Sequence, residues 1–416
     1  MAADIKNTLI RLLRWSEHYT KTDMVYLVQG GTWMALGTGV TWVCAFATMY
    51  AFANWLPKET YGTYQYVLSF MSVLGVLALS GMDTAIARAT AQGKDGSLFE
   101  ALRAKVQWGL IGGAVAMLGG IYYLIQGNEM LGYAFIIIGI FIPFWGAPGI
   151  YISYAQGKKR FDITNIYDVG AQLLAAISIV ATLQLTDNLL AILLAYLTSW
   201  TVARVIFFRL IIKKLPPNNE RDPTTISYGK HLTVMSAFNS ISVNIDTLLL
   251  WQVAGPAAVA SYMFARAIPQ RTNTLTKAIS RLAFPKMATN SMGTMQDTLL
   301  YKVVLLCGAA TVAAIVYAAL APYLFQLFFP KYIEAVPLTQ ILALLIALQP
   351  LGLFLNPLTS HAKQKLLYIY NFGLPIFRVI VFLLVVPSFG LMGAVIGLVI
   401  IKVFDGLFLT WLFYRA

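Results

Sequence analysis

The chain of 416 residues has few charged side chains, and acidic ones are the scarcer kind. Charged residues make up 11% of it, with 17 Asp and Glu against 30 Lys and Arg, whereas a soluble domain has about 25%. Its two cysteines form no CxxC motif, and its three histidines have no metal-ligand spacing. No phosphate-cradling glycine loop is evident either. These absences argue against a metal site and ATP hydrolysis, and we expect no cofactor.

Apolar residues dominate the composition. They make up 59% of the chain, and the mean hydropathy is +0.71. The runs Met24 to Pro57, Met130 to Gly157 and Val303 to Pro330 carry no charge at all, and crossing a bilayer core takes roughly 20 such residues. We therefore predict an all-α polytopic membrane protein of about twelve spans. In order, spans 1 to 12 are placed at about 29–53, 62–87, 107–125, 130–153, 165–185, 189–212, 229–252, 257–284, 302–322, 337–359, 366–386 and 389–413.

The basic residues outside the spans fall in every second loop. One set of loops and adjoining span ends holds most of them, whereas the intervening loops hold only Lys58 and Lys331. In a soluble protein this basic excess would suggest a nucleic-acid partner, but here its positions report orientation. By the positive-inside rule both termini are cytoplasmic. We expect the cytoplasmic (inner) membrane of a bacterium and no nucleic-acid partner.

Residues 1–23 precede the first span and are too polar for a signal peptide. Ile5, Leu9 and Leu12 recur at helical spacing beside basic residues. The segment is either a helix lying on the inner leaflet or a frayed tail.

An internal repeat divides the chain. Residues 166–170 (IYDVG) recur as 369–373 (IYNFG), and Pro148 in span 4 matches Pro350 in span 10. Small residues four apart begin the sixth span of each half, which favours close helix packing. We predict two parallel six-helix repeats around a central cavity. The predicted boundaries are 24–212, a cytoplasmic linker at 213–228, and 229–416.

Three passages carry a family resemblance. They are residues 55–64 (WLPKETYGTY) with 83–88 (DTAIAR), residues 329–337 (FPKYIEAVP), and Asn244-Ile245-Asp246. The chain resembles the polysaccharide and O-antigen lipid-linked oligosaccharide flippases, whose superfamily also contains multidrug exporters and the lipid II flippase. The resemblance covers essentially the whole chain, and it implies a lipid-linked oligosaccharide substrate. Some relatives have two further C-terminal helices, which are not among the twelve spans predicted here.

Span 8 carries a polar, basic stripe. Arg266, Gln270, Asn273, Lys277 and Arg281 follow steps of three or four, which place them on one helix face, with Arg271 beside it. A charge at bilayer depth costs roughly 2.5–3.5 kcal/mol, so these cations should face protein or a watery cavity. For Lys277 and Arg281, ordinary anchoring at the inner surface is the alternative.

Span 7 is too polar to face lipid, because Asn244 and Asp246 accompany several serines. Asp246 and Arg266 lie at similar depths on consecutive spans, which predicts a membrane-embedded ion pair. That pair could be structural, a gate, or a proton-sensitive element.

Other charges lie inside or at the ends of spans. Arg378 is near the middle of span 11, where its repeat counterpart is Ala175, and we place it among the cavity cations. Lys402 and Asp405 should neutralise each other. Arg204 is expected to snorkel towards the cytoplasm, and replacing Lys105 is expected to do little. Asp83 and Arg88, at the inner end of span 2, either contact substrate or form a local cap or ion pair.

Arginines in a cavity suit phosphate oxygens, because a guanidinium is planar, permanently charged and rich in donors. The resemblance, with which this chemistry agrees, implies a flippase that moves a polyprenyl diphosphate-linked oligosaccharide, such as an O-antigen repeat unit, to the outer leaflet by alternating access. The predicted substrate residues are Arg266, Gln270, Arg271, Asn273, Lys277, Arg378, Asn244 and Arg88, with Asp83 and Asp246 as gate or coupling residues.

The expected partners are the lipid-linked substrate, membrane lipids and downstream polymerase machinery. One alternative is an ion-coupled multidrug exporter, which would favour net acidic residues in the cavity. The other is a membrane-embedded glycan polymerase or transferase, which would need a sizeable outer loop or an intramembrane His/Asp constellation. We expect no enzymatic activity.

Overall fold

A computed structural model describes residues 24–277, 279–280, 287, 292–361 and 363–416. In these residues the regular structure is helical, without β-strands, so the predicted fold class is confirmed. Both the interfacial-helix prediction for residues 1–23 and the position of Arg281 lie outside the described residues. The α-helices, in chain order, are α1 (Met24–Trp55), α2 (Lys58–Leu74), α3 (Met82–Ala91), α4 (Ser97–Ile125), α5 (Glu129–Trp145), α6 (Tyr151–Gly157), α7 (Phe161–Leu185), α8 (Leu189–Lys214), α9 (Thr225–Arg271), α10 (Met292–Phe328), α11 (Val336–Leu342), α12 (Leu344–Leu348), α13 (Leu355–Ser360) and α14 (Gln364–Tyr414).

Two of the long helices are hairpins of two spans. The 51 residues of α14 would extend about 76 Å as a straight helix, far more than the roughly 30 Å of a bilayer core. Gly390 breaks α14 with φ 54° and ψ −126°, and Gly255 breaks α9 with φ 79° and ψ 179°. Only glycine adopts such backbone angles at little cost. Spans 7 and 8, and spans 11 and 12, therefore turn back on each other at these two residues.

Within the described residues, eight helical segments are long and apolar enough to cross a membrane, and the bent pair Lys58–Ala78 with Met82–Ala91 makes a ninth. With the two hairpins each counted as two spans, and with α1, this agrees with about twelve spans. The protein is therefore a multi-pass membrane protein.

The two halves share local features that support the repeat. Pro148–Ile150 and Gln349–Phe354 form 3₁₀ turns that interrupt the fourth span of each half. A Cβ on Gly170 would lie 3.1 Å from Phe207, and one on Gly373 would lie 3.3 Å from Phe408, so the fifth and sixth spans pack closely in both halves. The boundaries at 24–212 and 229–416 stay a prediction.

The halves meet tightly at the end that the charge pattern assigns to the outside. There Phe52 and Tyr61 of the first half share one apolar core with Phe264 and Phe329 of the second. A Cβ on Gly62 would lie 1.8 Å from the carbonyl oxygen of Pro256, so the two backbones touch. The outer end of the molecule is therefore closed.

Separate cores lie towards the predicted cytoplasmic end. One contains Met82, Tyr154 and Ile211 of the first half, and the other contains Phe354 and Phe413 of the second. The halves also touch at this end, because span 7 packs on the inner part of span 2: the backbone N–H of Gly81 donates to the Thr233 hydroxyl at 3.0 Å.

The segment between the halves is bound to the first half rather than hanging free. The Asn218 amide donates to the Gly93 carbonyl at 2.6 Å, and the backbone N–H of Asp222 donates to the Ser97 hydroxyl at 2.8 Å. Hydrogen bonds from the hydroxyl and the N–H of Thr224 hold the pKa of Asp222 below its usual value. This docking fixes where span 7 begins.

Candidate functional site

A buried carboxylate stands at the centre of the second half. Asp246 is only 2% exposed, and it accepts hydrogen bonds on both oxygens. Oδ1 receives the backbone N–H of Thr247 at 2.7 Å, while Oδ2 receives the Tyr262 hydroxyl and Nη1 of Arg266, each at 2.6 Å. The turn at Gly255 brings these side chains of spans 7 and 8 together. The predicted membrane-embedded ion pair is confirmed.

Arg266 is less deeply buried than its partner, with its side chain 18% exposed against 2% for Asp246. Its guanidinium also lies over the ring of Tyr262, 4.9 Å from the ring centre. Its charge is thus held by one carboxylate and one aromatic face, and this arrangement leaves the cation at the wall of a cavity.

That cavity, of about 370 Å³, lies entirely within the second half, and we call it the C-half cavity. Its lining contains three cations and two carboxylates. Lys402 pairs with Asp405 at 3.1 Å, as the sequence predicted, so Arg378 is left as the surplus charge. Within the described residues its only hydrogen bond is to the Ser242 hydroxyl, at 3.4 Å. The polar and charged residues of the lining are Asp246, Arg266, Gln270, Asn273, Gln349, Arg378, Lys402 and Asp405.

Span 8 is a wall between two cavities. Arg266, Gln270 and Asn273 face the C-half cavity, whereas Ala267 and Arg271 line a cavity of about 480 Å³ whose other walls belong to the first half. We call the latter the aromatic cavity. Sequence spacing placed Arg271 beside the stripe, and the structure turns it towards the other half.

The surroundings of Arg271 differ from those of Arg266. In the described part of the chain its guanidinium has neither an ion pair nor a hydrogen bond. It also borders an apolar cavity of about 400 Å³ on the lateral face, lined by Trp42, Val43 and Phe46 of α1. Arg271 therefore stands between the interior and the lipid-facing side.

Two further cavities follow the aromatic cavity along span 2. The middle cavity, of about 370 Å³, shares Leu68 and Tyr196 with it. The inner cavity, of about 280 Å³, shares Gly75 and Ser80 with the middle one. The first half therefore contains a row of cavities rather than one chamber.

The inner cavity holds a charge cluster that includes Asp83, a predicted gate or coupling residue, and Lys105, whose replacement was expected to do little. Lys105 is 3% exposed and pairs with Asp83 at 2.7 Å, so Asp83 forms the ion pair that was one of its alternatives. Arg204 does not snorkel. Its guanidinium lies 5.2 Å and 4.7 Å from the ring centres of Trp145 and Trp200, and Nη1 donates to the Trp145 carbonyl at 2.8 Å.

Packing between neighbouring helices explains why Arg204 does not snorkel. Trp145 and Trp200 hold the arginine inside the helix bundle, and its buried Nε finds no hydrogen-bond partner among the described residues. Two tryptophans on different spans, at the same depth as an intramembrane arginine, are the sequence signal that could have revealed this packing.

Three predicted site residues lie elsewhere. The Asn244 amide donates to the Ser72 hydroxyl at 3.2 Å and so bridges the halves. Arg88 is exposed, with its guanidinium 4.8 Å from the ring centre of Tyr228. Lys277, the last residue of the described range 24–277, is exposed and lines none of the cavities named here. Their roles in substrate binding stay predictions. The searched residues contain no group of three His, Cys, Asp or Glu that could hold a metal ion.

Comparisons with known proteins agree with this architecture. A family model described as "Polysaccharide biosynthesis protein" matches residues 27–291, more than half of the chain. A protein described as an uncharacterized membrane protein of Methanocaldococcus jannaschii is 23% identical, with 93% of this chain and 82% of that protein covered.

Similar solved structures belong to membrane transporters. The inward closed conformation of the lipid II flippase MurJ has a TM-score of 0.67 at 10% identity, with 91% of this chain and 86% of that one covered. An inward-facing multidrug resistance MATE transporter of the MOP superfamily has a TM-score of 0.66 at 14% identity, with 90% and 94% covered. At these identities the likeness shows the fold. The family match and the fold together show that this chain belongs to the polysaccharide biosynthesis protein family, with the architecture of the MOP superfamily.

Proposed function

We propose that the protein is a flippase that moves a polyprenyl diphosphate-linked oligosaccharide from the cytoplasmic to the outer leaflet by alternating access. The observation that carries the proposal is the pair of arginines without a carboxylate partner in the described chain. Arg271 projects from span 8 into the aromatic cavity. Arg378, on span 11, lines the C-half cavity on the other side of span 8. A cation at bilayer depth is costly unless a partner compensates it, and an anionic substrate would be that partner.

The charge balance favours an anionic ligand over a cationic drug. The C-half cavity has one more cation than it has carboxylates, and the aromatic cavity has Arg271 and no carboxylate in its lining. A phosphate oxygen accepts from several guanidinium donors at once. The apolar cavity beside Arg271 leaves the lipid tail on the bilayer side while the head group enters the protein.

The closed outer end gives the direction of access. The shared apolar core and the contact of Gly62 with Pro256 shut the path between the halves at that end. The Lys58–Glu334 ion pair, at 2.6 Å, joins the two halves there as well. This conformation would therefore load substrate from the cytoplasmic side, and rocking of the halves would release it outside.

The test is translocation of a labelled polyprenyl diphosphate oligosaccharide by purified protein in liposomes. Arg271→Gln and Arg378→Gln keep side-chain length and polarity but remove the charge, so each should slow translocation at least tenfold. Arg103→Gln removes an exposed cation at the cytoplasmic end of α4 and should leave the rate unchanged. Full translocation by both cavity variants would refute the cationic mechanism. Efflux of a cationic dye without movement of the lipid would refute the flippase assignment.

A further inference from the structure

The aromatic cavity combines side chains that neither a lipid nor a phosphate requires. Rings form much of its wall, and amides and hydroxyls lie between them. Among the described residues that line it there is no carboxylate. The residues that carry the argument are Tyr61, Gln65, Gln172, Tyr196, Trp200 and Arg271.

The amides present unused acceptors. Nε2 of Gln65 donates to the Tyr61 hydroxyl at 2.9 Å, and Nε2 of Gln172 donates to Asp168 at 3.2 Å. Their amide oxygens accept no hydrogen bond within the described residues. A carboxamide can both accept and donate, as a ligand hydroxyl does, so a ligand with several hydroxyls would satisfy these groups.

The rings form a fixed wall. Tyr196 lies 6.1 Å from Tyr64 and 5.2 Å from Trp145, measured between ring centres, and Trp145 lies 5.9 Å from Trp200. The side chains of Tyr196 and Trp200 remain half-buried. The negative face of an aromatic ring attracts the positive edge of a C–H group, and one face of a sugar ring consists of such groups. The wall therefore suits a ligand with a polar edge and an apolar face.

We propose that the aromatic cavity is a sugar-binding subsite, which holds the glycan of the substrate while Arg271 holds the adjoining phosphate. This inference rests on the proposed function and adds to it a place for the sugar. The volume of about 480 Å³ lies within the range of small-ligand sites, roughly 300–1,000 Å³. Arg271 stands at one edge of the subsite and next to the lateral apolar cavity, which is where the bond between sugar and diphosphate must lie.

The row of cavities extends the subsite along span 2. The middle cavity repeats its chemistry with hydroxyls of Ser72, Ser80 and Ser240 beside the rings of Trp145 and Tyr196. From Tyr61 to Leu74, α2 rises about 20 Å. A chain of several sugars can therefore follow span 2 away from Arg271.

The experiment compares two ligands for the purified full-length protein in nanodiscs. One is the lipid-linked oligosaccharide fraction of the source organism, and the other is the same carrier lipid as its bare diphosphate. Gln172→Leu and Trp200→Leu should each weaken binding of the glycan-bearing ligand roughly tenfold. A tenfold loss of affinity corresponds to the loss of about one hydrogen bond or stacking contact. Binding of the bare diphosphate lipid should change less than about twofold.

Matched variants separate the subsite from general damage. Trp200→Phe keeps a ring and should retain most of the glycan dependence. Gln340→Leu makes the same exchange in span 10, where the side chain bonds the Ala318 carbonyl outside these cavities, and should leave both affinities unchanged. Arg271→Gln should weaken both ligands alike. Thermal unfolding identifies any variant that fails to fold.

The outcomes distinguish the two proposals. If wild-type protein binds the bare diphosphate lipid but gains no affinity from the glycan, the sugar subsite is wrong while the flippase stands. The same conclusion follows if Gln172→Leu and Trp200→Leu weaken both ligands equally. If wild-type protein binds neither ligand, the proposed function fails, and the subsite fails with it.

Discussion

Removal of Arg266 should destabilise the protein through the carboxylate that it leaves behind. Asp246 is 2% exposed and shares one oxygen between Arg266 and Tyr262. Removing one partner of a buried ion pair costs about 3–5 kcal/mol, because the remaining charge is uncompensated. From the sequence alone, replacing Arg266 is expected to abolish transport without abolishing membrane insertion, because the change eases insertion and removes a diphosphate partner. The structure predicts a large loss of stability for Arg266→Gln.

The reverse substitution should cost less. In Asp246→Asn, the amide oxygen still accepts from Tyr262, and the freed Arg266 is 18% exposed at a cavity wall. We expect a loss of about 1–3 kcal/mol, in the range of an unsatisfied polar group. The double variant Arg266→Gln/Asp246→Asn buries no charge, so it should be more stable than Arg266→Gln alone.

Chemical unfolding in detergent measures this double-mutant cycle. A coupling free energy of about 2 kcal/mol or more is expected between the two positions. If Arg266→Gln is as stable as wild type, or if the double variant is no more stable than Arg266→Gln, the pair does not carry the energy that its geometry implies. Translocation by the stable double variant then reports whether the pair also acts as a gate.

Three further predictions concern the contacts between and within the halves. Charge reversal at Lys58 or Glu334 should favour opening of the outer end only modestly, because an exposed ion pair is worth about 0.2–1 kcal/mol. Opening is measured as accessibility of the outer end to a membrane-impermeant thiol probe, and swapping both charges should restore the wild-type value. Gly62→Ala places a methyl group where a Cβ meets a backbone oxygen at 1.8 Å, so transport should fall sharply; Gly39→Ala, with no atom within 4 Å of its Cβ, is the control, and equal activity of both variants would refute the close packing. Asp83→Asn removes the carboxylate that compensates the buried Lys105 and should lower the unfolding temperature, whereas an unchanged temperature would show that the pair contributes little to stability.

The charged residues of span 8 illustrate how far sequence periodicity reaches. Steps of three and four placed Arg266, Gln270 and Asn273 on one face, and these three do line one cavity. The same periodicity placed Arg271 next to them, but it could not show that Arg271 faces the other half. Helical spacing fixes angles within one helix, whereas the identity of the facing helix depends on how the hairpins pack.

Arg204 and Lys105 show the limit in a different way. Both lie near the predicted cytoplasmic ends of spans, where a basic residue usually anchors the helix at the lipid surface. Tertiary packing places Lys105 against Asp83, and it places Arg204 between two tryptophans. Depth along one span can be read from sequence, but Asp83 comes from span 2 and Trp145 from span 4, which are not the spans that carry Lys105 and Arg204.

The membrane class, the approximate spans and the pairing of Asp246 with Arg266 can be predicted from the amino-acid order, because each depends on local hydropathy or on two consecutive helices. Which cations lack a partner, which end is closed and where the cavities run can be seen only once the helices are packed. Those properties depend on contacts between distant segments, such as Gly62 with Pro256 and Lys58 with Glu334. Burial and charge compensation are properties of the assembled helices rather than of any single helix.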